Sequence, residues 1–274
     1  MSEPETGQGT VTRVIQMLSY LAQVQETSIK EVSQALGLAP STCHRLLDLL
    51  MREGMVERDP RERRYRIGVE FFRIAALAQQ HFDIRRVAQP ILESVVAQCD
   101  ETCVLSLYDP ALGRMIYAEK RDSGRMLRYQ LPLNKPISLL WGSSGRAIAA
   151  YLPDETVRKI YAGESAAPAS GEPLPPFALL QDQLRRIRED GFAVSFGQKI
   201  AGAVGINAPV FGANDGVVGS LGITIPEVRV SDANMERLTT LVMEAAATLS
   251  AQIGRPGKRA KPASSLPAGE GSRP

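Results

Sequence analysis

Residues 28–54 restrict the fold of this chain more than any other stretch, because their punctuation admits only two short helices and a tight turn. Ser28 is an N-cap candidate, and Glu31 three residues later completes a capping box. Ile29, Val32 and Leu36 follow at helical spacing, and Gly37 suits the left-handed position that ends a helix. Pro40 fits the first turn of a second helix, with Ala39 or a neighbour as its cap. Cys43, Leu46, Leu47 and Leu50 form that helix's inner face; Ser41, Thr42, His44, Arg45, Asp48 and Arg52 are left outside before Gly54 ends it.

The flanks extend the pattern. From Thr10 a helix is expected with Val14, Ile15, Leu18 and Leu21 on one face. Two short β-prone runs, 55–58 and 65–67, enclose Asp59-Pro60-Arg61-Glu62-Arg63-Arg64, a hairpin signal. Helix, helix, turn, helix and hairpin within residues 10–68 is the order of a winged helix-turn-helix. Residues 69–83 then read as a linker helix. Its Val69, Phe71, Phe72, Ile74, Ala75 and Leu77 are too apolar for a solvated spacer, so it should pack on a partner chain or the next domain.

A helix that enters a major groove must be apolar behind and short, polar and cationic in front. Pro40, Ser41 and Thr42 open the second helix of the pair, where hydroxyls and free amides suit a phosphate. His44 and Arg45 reach further, toward base edges, and arginine favours guanine through paired donors. Arg52, Ser28 and the wing residues Arg61, Arg63 and Arg64 complete the candidate DNA contacts. Taken singly, these residues fit ordinary caps and solvated surface arginines better than DNA contacts, and seven arginines against five acids over residues 41–66 is a small excess. Their order favours double-stranded DNA. The net charge of +2 adds nothing to that argument, so it is local.

The remaining chain alternates types. Helices are expected at 84–98, 143–151, 154–161, 177–190 and 231–253. Strands are expected near 103–108, 114–120, 126–131, 192–196, 203–211 and 216–225. That pattern suits a mixed sheet with helices on its faces, within residues 84–253. Residues 1–9 and the Pro-, Ser- and Lys/Arg-rich tail 254–274 read as disordered; the tail is more plausibly solvated than bound to DNA. Cys43, Cys99 and Cys103 read as free thiols: with two histidines in the chain, His44 and His81, no metal-ligand set forms. No cofactor is expected. The absence of a signal-peptide pattern and of an apolar run near 20 residues points to the cytoplasm, away from any membrane.

Residues 28–47, Ser-Ile-Lys-Glu-Val-Ser-Gln-Ala-Leu-Gly-Leu-Ala-Pro-Ser-Thr-Cys-His-Arg-Leu-Leu, closely resemble the helix-turn-helix of the isocitrate-lyase-regulator (IclR) family of bacterial transcription regulators. Glu53-Gly54-Met55-Val56 and Arg64-Tyr65-Arg66-Ile67-Gly68 resemble its wing and exit. The likeness runs through about residues 10–253, with Trp141–Ala147, Gly202–Val210 and Gly216–Thr224 similar to effector-domain segments. It implies an α+β protein: a winged helix-turn-helix, a linker helix and a GAF-like α/β domain that binds a small organic acid or aromatic effector. It also implies homodimers that pair into tetramers. Matched one by one, Ser143, Ser144, Ser195, Ala203, Gly205, Gly222 and Thr224 fall around the effector pocket, with Met126, Tyr129 and Ile137 as apolar wall. Two departures stand out. Many members carry an acid where this chain has Ser195-Phe196-Gly197-Gln198, and a usual lysine is Arg146.

The residues also allow a pocket without the family. Glycines and serines at 142–145 open a helix whose amides could receive a carboxylate. Gly202, Gly205, Gly219 and Gly222 leave room against strands, or only mark turns and bulges. An enzyme or ligand-binding module with an appended winged helix is the alternative. Against an enzyme, no histidine follows His81, and no nucleophile elbow, Walker loop or metal cluster is present.

Overall fold

A computed structural model describes residues 9–81 and 83–254; the expected disordered ends, 1–9 and 254–274, lie outside the described residues except for Gly9 and Gly254. The described chain forms two compact units that divide between Phe82 and Asp83.

In the first unit α1 (Thr10–Leu21), α2 (Ile29–Leu36) and α3 (Pro40–Arg52) precede a two-stranded hairpin, β1 (Val56–Arg58) and β2 (Tyr65–Ile67), and then α4 (Val69–His81). Ser28 Oγ accepts from the Glu31 amide at 3.3 Å while Glu31 Oε2 accepts from the Ser28 amide at 2.7 Å, so the capping box is formed. Those bonds hold the Glu31 carboxyl below its ordinary range. Gly37 ends α2 with φ 63°, a backbone region that side chains with a Cβ disfavour. Met17 and Leu21 of α1, Val32 of α2, and Cys43, Leu46, Leu47 and Leu50 of α3 pack with Val56 and Tyr65 into one core. Ile15 departs from expectation. The inward register is Val14, Met17, Leu18, Leu21, and Ile15, one residue out of step with it, stays exposed with Val11.

The second unit is one five-stranded sheet in the order β4-β3-β7-β6-β5. Its strands are β3 (Thr102–Asp109), β4 (Arg114–Arg121), β5 (Ala193–Phe196), β6 (Ala203–Phe211) and β7 (Val217–Pro226). Every pairing is antiparallel, which corrects the expected mixed sheet: adjacent strands meet through hairpin-like returns or approach from opposite ends. One face is apolar. Leu105 of β3, Ile206, Ala208 and Val210 of β6, and Leu221, Ile223 and Ile225 of β7 meet α5 (Ile84–Cys99) and α9 (Asp232–Gln252). Along β6 and β7 the alternate residues face the other way, and they are small or polar: Ala203, Gly205, Asn207, Ser220, Gly222 and Thr224. That second face lies beneath α6 (Gly142–Ala149), with α7 (Asp154–Ala162) and α8 (Phe177–Asp190) further out on the same core.

The strand expected at 126–131 does not form. Arg125 pairs with Asp100 at 3.0 Å, Tyr129 Oη donates to the Ala201 carbonyl at 3.2 Å, and Pro132 follows, so the segment is tied down as coil. The free edge of β4 is met instead by Leu133 and Ile137, through isolated bridges to Tyr117 and Met115. Among the described residues no helix is long and apolar enough to cross a membrane, and no group of three or more metal-ligating side chains gathers. Cys43 and Cys103 are buried free thiols, and Cys99 is half-buried; desolvation pushes all three up from the ordinary thiol range.

Candidate nucleic-acid interface and ligand cavity

The outer face of α3 is built by subtraction: once four apolar residues seat the helix, the remaining ones face water. Ser41, His44, Arg45 and Arg52 are exposed and Thr42 is half-exposed. Ala39 supplies no side-chain cap, and Pro40 occupies the first turn without an amide to satisfy, so the α3 start keeps open hydrogen-bonding capacity. His44 Nδ1 lies 2.9 Å from Asp48 Oδ2, one turn along the same face.

The wing is shaped by its acid. Asp59 Oδ1 accepts from the amides of Arg61 at 2.7 Å and Glu62 at 2.9 Å, and these bonds hold its carboxyl below its ordinary range. Arg63 closes the turn with φ 55°, a rare conformation for a non-glycine residue. Arg61 and Arg63 are thereby presented outward. Among the described residues Arg45, Arg52, Arg61 and Arg63 have no ion-pair partner. Arg64 and Ser28 differ. Arg64 reaches Glu31 at 3.2 Å and lies 3.9 Å from Glu26, while Ser28 is engaged as the cap, so both brace the wing against α2.

In the second unit, the small and polar sheet face and the α6 N-terminus enclose a cavity with about 30 Å³ of free space. Gly142, Ser143, Ser144, Ser195, Ala203, Gly205, Asn207 and Thr224 line it, together with Tyr117, Leu131, Gln198 and Lys199. Six of the residues expected there from the sequence are among them. A Cβ on Gly205 would stand 2.3 Å from Ser143 Oγ, so the helix approaches β6 only where the strand has no side chain. Gly222 is near the cavity but does not line it. A Cβ there would stand 2.3 Å from the Asn207 amide group, so Gly222 makes room for Asn207. Asn207 Nδ2 donates to Ser143 Oγ at 2.8 Å, and Ser220 Oγ to the Ser144 carbonyl at 2.9 Å.

The apolar wall needs correcting. Met126 is wholly exposed on the coil that replaced the expected strand, Tyr129 is held at Ala201, and Ile137 packs under β4; none lines the cavity. The expected anion seat at the α6 amides is also partly occupied, at Gly142 and Ser143. The Gly142 amide donates to Gln198 Oε1 at 3.0 Å and the Ser143 amide to Ser195 Oγ at 2.8 Å. What the sequence reading missed is Lys199. The residue is half-buried and lines the cavity, with its ammonium 3.5 Å from Ser144 Oγ and 6.0 Å from the Tyr117 ring centre. Desolvation, reinforced by Arg146 and opposed by Glu164, brings the Lys199 ammonium down to about 7. Burial raises the Tyr117 hydroxyl, which therefore stays neutral.

Two family models match the chain. The IclR helix-turn-helix domain matches residues 10–60, and the C-terminal domain of the bacterial transcriptional regulator IclR matches residues 76–251. The chain is 26% identical to the HTH-type transcriptional regulator KipR of Bacillus subtilis over 246 residues, 89% of this chain and 97% of the relative. It is 22% identical to the transcriptional repressor IclR of Escherichia coli, over 92% of each. By fold it is similar to the crystal structure of Pseudomonas aeruginosa HmgR, with a TM-score of 0.70 at 22% identity, covering 91% of this chain and 99% of that one.

Proposed function

The chain belongs to the IclR family of bacterial transcriptional regulators, with an N-terminal helix-turn-helix for DNA and a C-terminal effector-binding domain, and from that premise we propose which residues do each task. It is a regulator and not an enzyme, as the relatives are. On this reading α3 enters the major groove of operator DNA. Ser41 and Thr42 meet a phosphate, His44 and Arg45 reach base edges, and Arg52, Arg61 and Arg63 meet the backbone or the minor groove. Arg64 and Ser28 act indirectly, by fixing the wing on α2. The observation that carries this is the set of four unpaired arginines on two adjacent elements of a protein whose net charge is near zero.

The cavity beneath α6 receives the effector, a small organic acid or aromatic compound by the family's habit. Ser143, Ser144, Ser195, Ala203, Gly205 and Thr224 surround it, and binding biases the two DNA-binding heads of a homodimer, itself able to pair into a tetramer. The protein acts in the cytoplasm, on double-stranded operator DNA. Selection of the full-length protein on random duplexes tests the first half: a consensus should emerge for wild type and lose one base position in Arg45→Ala. A consensus unchanged in Arg45→Ala would remove α3 from base readout.

A further inference from the structure

The effector reading leaves the ligand's chemistry open, and the cavity's charge narrows it. A buried ammonium is stable when a carboxylate answers it; unanswered, it either loses its proton or waits for a counter-ion. Among the described residues no carboxylate lies within ion-pair distance of Lys199. Glu164, the acid whose field reaches it, is already held by Arg114 at 3.1 Å and by the Ser138 hydroxyl, while Arg146 adds a second positive charge. Two of the α6 amides that could bind an anion unaided, those of Gly142 and Ser143, are taken by Gln198 and Ser195. Among the described residues Lys199 is the one charged side chain that lines the cavity, with the Ser144 hydroxyl 3.5 Å from its ammonium. The free space is small, about 30 Å³, so a short acid displaces less of the lining than an aromatic ring would.

Resting on that effector reading, we infer that Lys199 is its charge-selecting residue, and that the cavity takes a short anion, a carboxylate of about two to four carbons, rather than a neutral or aromatic compound. The pairing carries a proton signature. Free Lys199 is largely neutral above pH 7, because burial and Arg146 outweigh Glu164, and the neutral Tyr117 beside it adds no charge. An anion restores the ammonium, so binding takes up a proton, and affinity falls about tenfold per pH unit above the free lysine's midpoint.

Calorimetry on the full-length protein tests this with propionate and lactate, each beside its amide, and with benzoate, at pH 7 and 8.5 in two buffers of different ionisation enthalpy. Expected are carboxylate binding at pH 7, at least tenfold weaker binding of the amides and of benzoate, and proton uptake. Lys199→Met should abolish the preference. Lys199→Arg should keep it but flatten the pH dependence, since a guanidinium stays charged across this range. If Lys199→Met fails to fold, the wild-type proton uptake and the Lys199→Arg profile decide. Equal binding of acid and amide, tighter binding of benzoate, unchanged carboxylate binding in Lys199→Met, or no carboxylate binding at millimolar concentration overturns the inference. A neutral ligand that is lost in Gly205→Val yet shifts operator affinity would sink the lysine's role and spare the regulator reading. A carboxylate bound through Lys199 that leaves operator affinity unmoved would do the reverse.

Discussion

At the scale of single residues, the cavity stores a cost in the empty protein. Lys199 has an ordinary midpoint when unfolded and one near 7 when folded. Below pH 7 it is protonated in both states, so the full burial penalty stands; as pH rises through the window from 7 to 10.5 only the unfolded chain holds the proton, and the penalty fades. Lys199→Met keeps a flexible stem of similar length without the charge. At pH 6 it should stabilise the second unit by about 2–4 kcal/mol, a rise in Tm of roughly 5–10 °C. By pH 10.5 the gain over wild type should vanish. Thermal melts of both proteins at four pH values check this; a constant difference would mean that the lysine's charge is not the cause. Gly205 makes the converse case. Gly205→Val drives a side chain against Ser143 Oγ, so ligand binding should be lost, by at least tenfold in titration, while operator binding survives in the absence of ligand.

At the scale of elements, α3 and the wing should fail differently. Arg63→Ala in the wing should weaken binding to all duplexes alike and flatten the slope of log affinity against log salt by about 1, whereas Arg45→Ala should cost about 1–3 kcal/mol chiefly on the preferred sequence. Fluorescence anisotropy between 50 and 200 mM salt separates them, and equal losses on all sequences for both would refute the division of labour. The capping box, the left-handed Gly37 and the inner face of α3 were readable from local chemistry, because each depends on residues within one or two turns. Strand 126–131 was misread for the opposite reason. Alternation in Met126-Leu127-Arg128-Tyr129-Gln130-Leu131 suits a strand, but what decides it is distant: Asp100, Ala201 and the prior claim of Ile137 on the β4 edge. Lys199 was invisible in the same way. Between Gly197 and Gly202 a lysine looks solvated, and only the return of β5 and β6 beneath α6 buries it. Asn207 left a faint signal, a lone amide among apolar neighbours on the side of β6 that already carried Ala203 and Gly205.

At the scale of the whole molecule, the first unit has apolar surface that its own core does not use. Val69 is 71% and Phe72 65% exposed on α4, and Ile74 and Leu77 follow on the same helix. Val11 and Ile15, one turn apart on α1, are exposed as well, and a groove lined by Leu21, Val24, Val69, Phe71 and Phe72 joins the end of α1 to the start of α4. Large apolar side chains exposed together on two helices of a small domain are the mark of an interface. Our reading of the protein as a homodimer gives it a second copy to bury. Two-fold pairing through α1 and α4 would place two recognition helices at a fixed separation, so half-site spacing in the operator would report the dimer's geometry. Phe72→Asp puts a charge into that surface while leaving α3, the wing arginines Arg61 and Arg63 and the cavity unaltered. Light scattering should then show a smaller assembly at micromolar concentration, and the concentration dependence of the wild-type melting temperature should be lost. Affinity for a palindromic operator should drop by at least tenfold, as the second head no longer binds at high effective concentration, whereas affinity for an isolated half-site should be unaffected. If Phe72→Asp leaves the assembly and the palindrome affinity as they were, the exposed face of α4 is not where copies of this chain meet.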